Sequence, residues 1–424
     1  MPPKHPLLVR PFALTALAVA VAGSTLGAVL LLRIHLALGV VEPFWAQVHG
    51  QAQVFGFIVP LVLGFGTYLV PRIAGGQPIR SAFALPALVL LLLAALADFA
   101  APFAGGAALR RALAVLVAAG AICGAIALEA PLGASRREHG RRSHEPLLEA
   151  ALIFLALGGL ADAAAWWLSA DGDLPAAVAS AAWRLALEGF AVGMALAISA
   201  RMFSGFLGIP PAMSFSPVNR AGALRERVFR GAAALWAASV AVGAGGSLVG
   251  SVAAQDAGDI LFAAGVVPLS LQLGLAPTSA GPAIDRTHDP LFPFGARSAY
   301  ALLVAGAVVG AASAAADLAG LPVHSLWLDA RRHLINIGFL LTLIATMAGR
   351  LAPGIARRPL AWPALRLFAI SGFALAAVLR ALEGVAGQWG PAALLWASAL
   401  SGPLAALALA ALAASLGATL LKAH

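Results

Sequence analysis

Charge is what this sequence has least of. Only 11% of its 424 residues are Asp, Glu, Lys or Arg and 61% are hydrophobic, against about 25% and about 45–50% in a soluble domain. A soluble fold of this size could not cover its surface with so little charge. Cysteine is also nearly missing. Cys123 stands alone in an apolar run, which excludes an internal disulfide, a Cys-based zinc site and a covalent c-type haem motif. Acids are fewer than bases, 18 against 27, and the pI is 11.2. Nucleic-acid binding does not explain that excess, because the bases sit in short segments between apolar runs, where they orient a membrane protein.

What is present is apolar sequence in stretches of about 20 residues, with a mean hydropathy of +0.92. Such stretches predict an all-α polytopic membrane protein. The first runs from Arg10 past Val41, interrupted only by Arg33 and His35, and is too long for a signal peptide. The others are Phe44–Pro71, Ala82–Phe103, Ala107–Glu129, Leu147–Ser169, Ala182–Leu207, Phe229–Val252, Ile260–Leu275, Ala299–Ala319, Leu328–Ala352, Trp362–Glu383 and Pro391–Leu421. That gives about twelve transmembrane helices in a single integral membrane domain, residues 1–424. Alternate connections carry the bases: Arg72 and Arg80; Arg136, Arg137, Arg141 and Arg142; Arg220, Arg225, Arg227 and Arg230; Arg286 and Arg297; Arg350, Arg357, Arg358 and Arg366. The opposite connections hold Glu42, Asp171, Asp173 and Asp256. With Lys4, Arg10 and Lys422 this predicts N-in, C-in topology. Gly133–Pro146 and Gly208–Arg227 read as the basic and the longest internal loops, and no soluble repeat is visible.

Topology sorts the nine histidines. His5, His139, His144, His288 and His424 fall on the inner side, and His35, His49, His324 and His333 on the outer side. His49 and His333 each lie about five residues into a span, the second and the tenth, roughly 7 Å below the outer boundary at about 1.5 Å per residue. Two imidazoles at matched depth could grip a haem iron, although a lone outer histidine more simply hydrogen-bonds a neighbour. Charge below the interface is expensive and marks sites. Arg331 and Arg332 precede His333 and could serve haem propionates; Arg184 with Glu188 and Arg380 with Glu383 are helically spaced, equally readable as ion pairs that orient helices. Asp162 and Asp317 have no obvious partner. His35, His324 and Gln51 remain as outer-side groups that could hold copper, only weakly.

The second span reads Val48-His49-Gly50-Gln51-Ala52-Gln53-Val54-Phe55-Gly56-Phe57 and later Gly64-Phe65-Gly66-Thr67-Tyr68-Leu69-Val70-Pro71. It resembles helix 2 of haem–copper oxidase catalytic subunits, whose His-Gly binds low-spin haem with a partner from helix 10. The copper-ligand histidines of helices 6 and 7 are missing, so an oxygen or nitric-oxide reductase core is not expected. The helix-2 motif, Ile198-Ser199-Ala200-Arg201-Met202-Phe203-Ser204-Gly205-Phe206, and Arg332-His333-Leu334-Ile335-Asn336-Ile337-Gly338 with Met347-Ala348-Gly349-Arg350 and Arg358-Pro359-Leu360 are similar to segments of the NnrS family. The resemblance implies a twelve-helix protein of the bacterial inner membrane that contains haem and copper and is linked to nitric-oxide stress in denitrification. Many members have His-x-His-Glu-Met in helix 2; here Gln51 replaces the second histidine, which leaves His49 as the helix-2 ligand. The resemblance implies non-covalent haem at His49 and His333; Arg331, Arg332 and Arg184 with Glu188 are the charged groups that the residues themselves offer around it. A twelve-helix secondary transporter of a small solute and an assembly subunit are the competing functions. No enzymatic reaction follows from the sequence.

Overall fold

Once a chain enters lipid its backbone must satisfy its own hydrogen bonds, and the helix does so residue by residue. The computed structural model describes residues 6–36, 43–104, 106–139, 144–169, 175–207, 220–275, 289–390 and 392–421. Among these it contains helices and no strand. Twelve helices are long and apolar enough to cross a membrane: α1 (Leu8–His35), α2 (Phe44–Ile73), α3 (Ser81–Ala101), α4 (Ala107–Glu138), α5 (Glu145–Leu168), α6 (Ala176–Phe203), α7 (Ala223–Leu248), α8 (Val252–Leu273), α9 (Leu291–Leu318), α10 (Leu326–Ala356), α11 (Pro363–Trp389) and α12 (Ala393–Leu421). The shortest, α3, has 21 residues. At about 1.5 Å per residue it spans about 31 Å, enough for the hydrocarbon core. The chain is therefore an all-α, multi-pass membrane protein.

Several boundaries differ from the sequence expectation. Arg136 and Arg137 lie on the last turns of α4 rather than in a loop, where Arg136 binds Glu129 at 2.6 Å and Glu149 at 2.5 Å. Arg220–Leu248 is one helix, so residues 220–227 belong to it and not to the expected loop. Asp256 lies inside α8, and α8 and α9 begin eight residues earlier than their apolar cores. Apolar runs mark the lipid-embedded part of a helix, whereas the backbone continues helical wherever charge is exposed or paired. Residues 141–143, 170–174, 208–219, 276–288 and 422–424 lie outside the described residues. So do His5, His288 and His424, the side chain of His139, and Lys4, Glu42, Arg141, Arg142, Asp171, Asp173, Arg286 and Lys422.

The helices form two compact units. One takes α1 to Leu30, α2 to α5, α6 to Met194 and the residues Ala244–Ser251; the other takes Leu31 onward in α1, Ala195 onward in α6, α7 to Gly243, and α8 to α12. In the first, α3 packs on α4, α4 on α5, and α5 on α6. In the second, α8 packs on α9, α9 and α11 on α10, and α12 on α11.

A period of four helices runs through the chain. The most apolar windows of α2, α6 and α10 are 89, 83 and 67% buried, against 33–50% in the other nine. The same three helices contain π-helical segments: Val54–Ile58, Arg184–Ala191 and Leu334–Leu341. Each segment holds a Gly-Phe pair, Gly56-Phe57, Gly189-Phe190 and Gly338-Phe339, whose phenylalanine is fully buried. Five residues before the glycine stand Gln51, Arg184 and His333. Isolated π segments inside α-helices frequently mark functional sites.

Candidate functional site

In each of these three helices, taken by itself, the candidate groups lie near its start. In the first unit, the His49 ring lies against α1. Its Nδ1 is 2.8 Å from the Gly23 carbonyl oxygen, and a Cβ at Gly27 would strike the ring. Gly23 and Gly27, four apart on one face of α1, open the groove that the imidazole enters. A carbonyl only accepts, so Nδ1 carries the hydrogen and Nε2 bears the lone pair.

In the second unit, His333 closes the α-helical turn before the π segment of α10. Its Nδ1 is 2.9 Å from the carbonyl oxygen of Asp329 and 3.4 Å from that residue's Oδ1. The same reasoning places the hydrogen on Nδ1 and the lone pair on Nε2. Arg380 donates to Asp329 Oδ2 at 2.5 Å and pairs with Glu383 at 2.9 Å. Glu383 Oε1 is 3.8 Å from His35 Nε2. A continuous polar chain thus links His333, Asp329, Arg380, Glu383 and His35. Arg332, half-buried, adds its charge beside Asp329 and His333.

Arg331 turns elsewhere. It is 2% exposed, reaches Asp259 of α8 at 3.1 Å, and lies 5.7 Å from the centroid of the Phe262 ring. A Cβ at Gly310 of α9 would stand 2.6 Å from Arg331 Cδ. This cation is spent on helix packing, so of the two neighbouring arginines only Arg332 accompanies His333. In the first unit, Arg184 and Glu188 are 3.9 Å apart inside the π segment of α6, both nearly buried.

The groups named for copper have other occupations. Gln51 Nε2 donates to Asp162 Oδ1. His324 Nδ1 accepts the Leu326 N–H at 3.2 Å and so caps the start of α10; the lone pair that a metal would need is engaged. His35 faces Glu383. Asp317 is exposed at the end of α9. Among the described residues no three His, Cys, Asp or Glu gather in a metal-binding arrangement, a condition that a haem iron with two imidazoles does not need.

Asp98 escaped the sequence reading. It is an isolated acid in the apolar run of α3, and it is buried. The signal available was its type alone: a carboxylate within a span. Asp259 was missed as the partner of Arg331, and Asp329, read as a loop acid that Arg331 or Arg332 could face, was missed as the partner of Arg380, because each pair joins different helices. No protein-family model matches this chain, and no curated protein matches it.

Proposed function

We propose that this chain is a membrane haem protein of the kind its resemblance to the NnrS family implies. His49 and His333 would hold the haem through imidazole nitrogens, Arg332 and Arg184 would serve its propionates, and the setting would be nitric-oxide stress at a bacterial inner membrane. One observation carries the reading. Both imidazoles, chosen by matched depth and by the helix-2 resemblance, have Nδ1 bound to a backbone carbonyl, the arrangement by which metal-ligating histidines fix their tautomer and direct Nε2 to the metal. Asp329 adds a carboxylate to the His333 bond, which raises the basicity of Nε2. The residues present therefore fit the group. Haem, when bound, supplies one-electron chemistry and an iron that binds small gases. The chain's part is to hold the imidazoles, exclude water and place Arg332 beside an anionic edge.

Purified protein with a Soret band, lost in His49→Ala and in His333→Ala, supports the reading. A colourless chain that cannot be loaded with haem overturns it, and a colourless chain that binds a solute favours the transporter.

A further inference from the structure

Three consecutive residues of α2 are held by three different helices, all within the first unit. The His49 ring sits in the groove of α1, its Nδ1 2.8 Å from the Gly23 carbonyl oxygen. Gly50 lies against α6, where a Cβ would stand 2.8 Å from the Trp183 ring. Gln51, 5% exposed, donates through Nε2 to Oδ1 of the fully buried Asp162 on α5. Successive residues of an α-helix point about 100° apart. His49 and Gln51 therefore leave α2 about 200° apart, on nearly opposite sides.

The bonds on the α1 side do not fix that direction by themselves. Gln53, one turn after His49 and on the same face, donates to the Ala20 carbonyl oxygen of α1 at 3.3 Å. Two bonds along one face act as a hinge, and α2 could still roll about the line that joins them. With side chains a helix is about 5–6 Å in radius, so a roll of about 20° carries a side-chain tip about 2 Å. Donor–acceptor distances range over only about 0.5 Å, so such a roll breaks the far bond, and the far bond resists it. Its acceptor stands on a firm support. One turn before Asp162, Gly158 brings α5 against the backbone of α6, where a Cβ would lie 3.2 Å from the Ala186 nitrogen.

Polar bonds between spans add little to stability, and Asp162 Oδ2 has no hydrogen-bond partner among the described residues. A buried carboxyl is thus a costly means of merely joining two helices; what it supplies is direction. Inside the second unit α10 repeats the design. Arg331, two residues from His333 and so about 200° around the helix, is 2% exposed and reaches the buried Asp259 of α8 at 3.1 Å. Each of the two helices that carry a candidate imidazole is tied, behind that imidazole, to a buried acid of another helix.

We propose that Asp162 is a positioning residue: acting through Gln51, it stops α2 from rolling on α1 and keeps the His49 imidazole on the Gly23 carbonyl with Nε2 held in one direction. The clamp belongs to the chain with or without haem. Its use, an imidazole aimed at iron, rests on the reading above.

The test is nitrogen-15 NMR of the imidazoles in full-length protein purified without haem, alongside absorption spectra of haem-loaded protein. The His49 signals are identified by their loss in His49→Gln. Gln51→Met combined with Asp162→Leu removes both polar partners and strands neither, the least costly way to cut the bond. In this double variant the His49 resonances should shift and divide between two tautomers, and loaded protein should gain five-coordinate haem. Asp162→Asn, whose amide oxygen still accepts from Gln51, should keep both wild-type signatures. Gln51→Asn keeps the amide but shortens its reach by one methylene, and should shift the same resonances. Wild-type His49 resonances in the double variant, or in Gln51→Asn if the double variant fails to fold, overturn the proposal. So does Asp162→Asn moving them equally. If wild-type protein takes up no haem, the haem reading falls and the haem-free resonances still decide the clamp.

Discussion

In the second unit the carboxylates around His333 have a guanidinium built in: Arg380 lies between Asp329 and Glu383, and Arg331 answers Asp259. In the first unit Asp162 accepts from the Gln51 amide, and Asp98 has no hydrogen-bond partner among the described residues. Asp98 and Asp162 are buried and Asp329 is half-buried, all within spans, yet among the described residues only the second cluster has a cation built in. The contrast teaches how to tell a fixed electrostatic frame from acids that stand without one. A frame collapses when its cation is cut away, whereas an acid with no cation beside it tolerates replacement by its neutral amide.

The largest expected effect therefore lies in the second unit. Arg380→Ala strands two acids and should cost about 3–5 kcal/mol, read as lost resistance to denaturant in detergent, with Arg380→Lys recovering part of it. A cost no greater than that of Asp98→Asn would break the comparison. Next comes Gly27→Ala in the first unit. The new methyl group meets the His49 ring, and overpacking of this kind costs about 1–3 kcal/mol; it should also move His49 off the Gly23 carbonyl, visible as a changed imidazole nitrogen resonance. Asp98→Asn should stay within about 1 kcal/mol of wild type, because it removes a burden rather than a partner. A loss as large as that of Arg380→Ala would show that Asp98 has a hidden cation. Smallest is His324→Ala, which removes one capping bond and should cost about 0.5–1 kcal/mol. The melting temperature should fall slightly while the His333 environment stays unchanged.

The transmembrane helices were legible because a span announces itself by length and apolarity. So were the pairs within one helix: Arg184 with Glu188 and Arg380 with Glu383, which the structure places 3.9 and 2.9 Å apart. Long-range partners were not legible. Gln51 and Asp162 are 111 positions apart, and Asp329 and Arg380 are 51 apart. No local spacing encodes which helices become neighbours. The starts of α8 and α9 were misplaced for a related reason: Asp259 looks like a solvated end until Arg331 is seen beside it. The matched depth of His49 and His333 came from counting residues, but the carbonyl bonds that fix their tautomers depend on Gly23 in one case and on the turn at Asp329 in the other. The π segments had no sequence signal of their own. Only the recurrence of Gly-Phe in α2, α6 and α10 points to them afterwards.

Those segments make the three helices phase-locked. A π turn is wider than an α turn, so the residues before it are wound back relative to those after it. In α10 the segment begins at Leu334, directly behind His333. One residue added to a regular α-helix turns everything beyond it by about 100°, whereas a π segment takes up such a residue in its wider turn and lets the two halves keep their faces. His333 and Asp329 stand together on the half before the segment, so the face they share does not depend on it; what it sets is how that half is aimed relative to Thr342–Ala356. For these helices a single-codon deletion in the α-helical turns is expected to disturb the faces more than one inside the π segment.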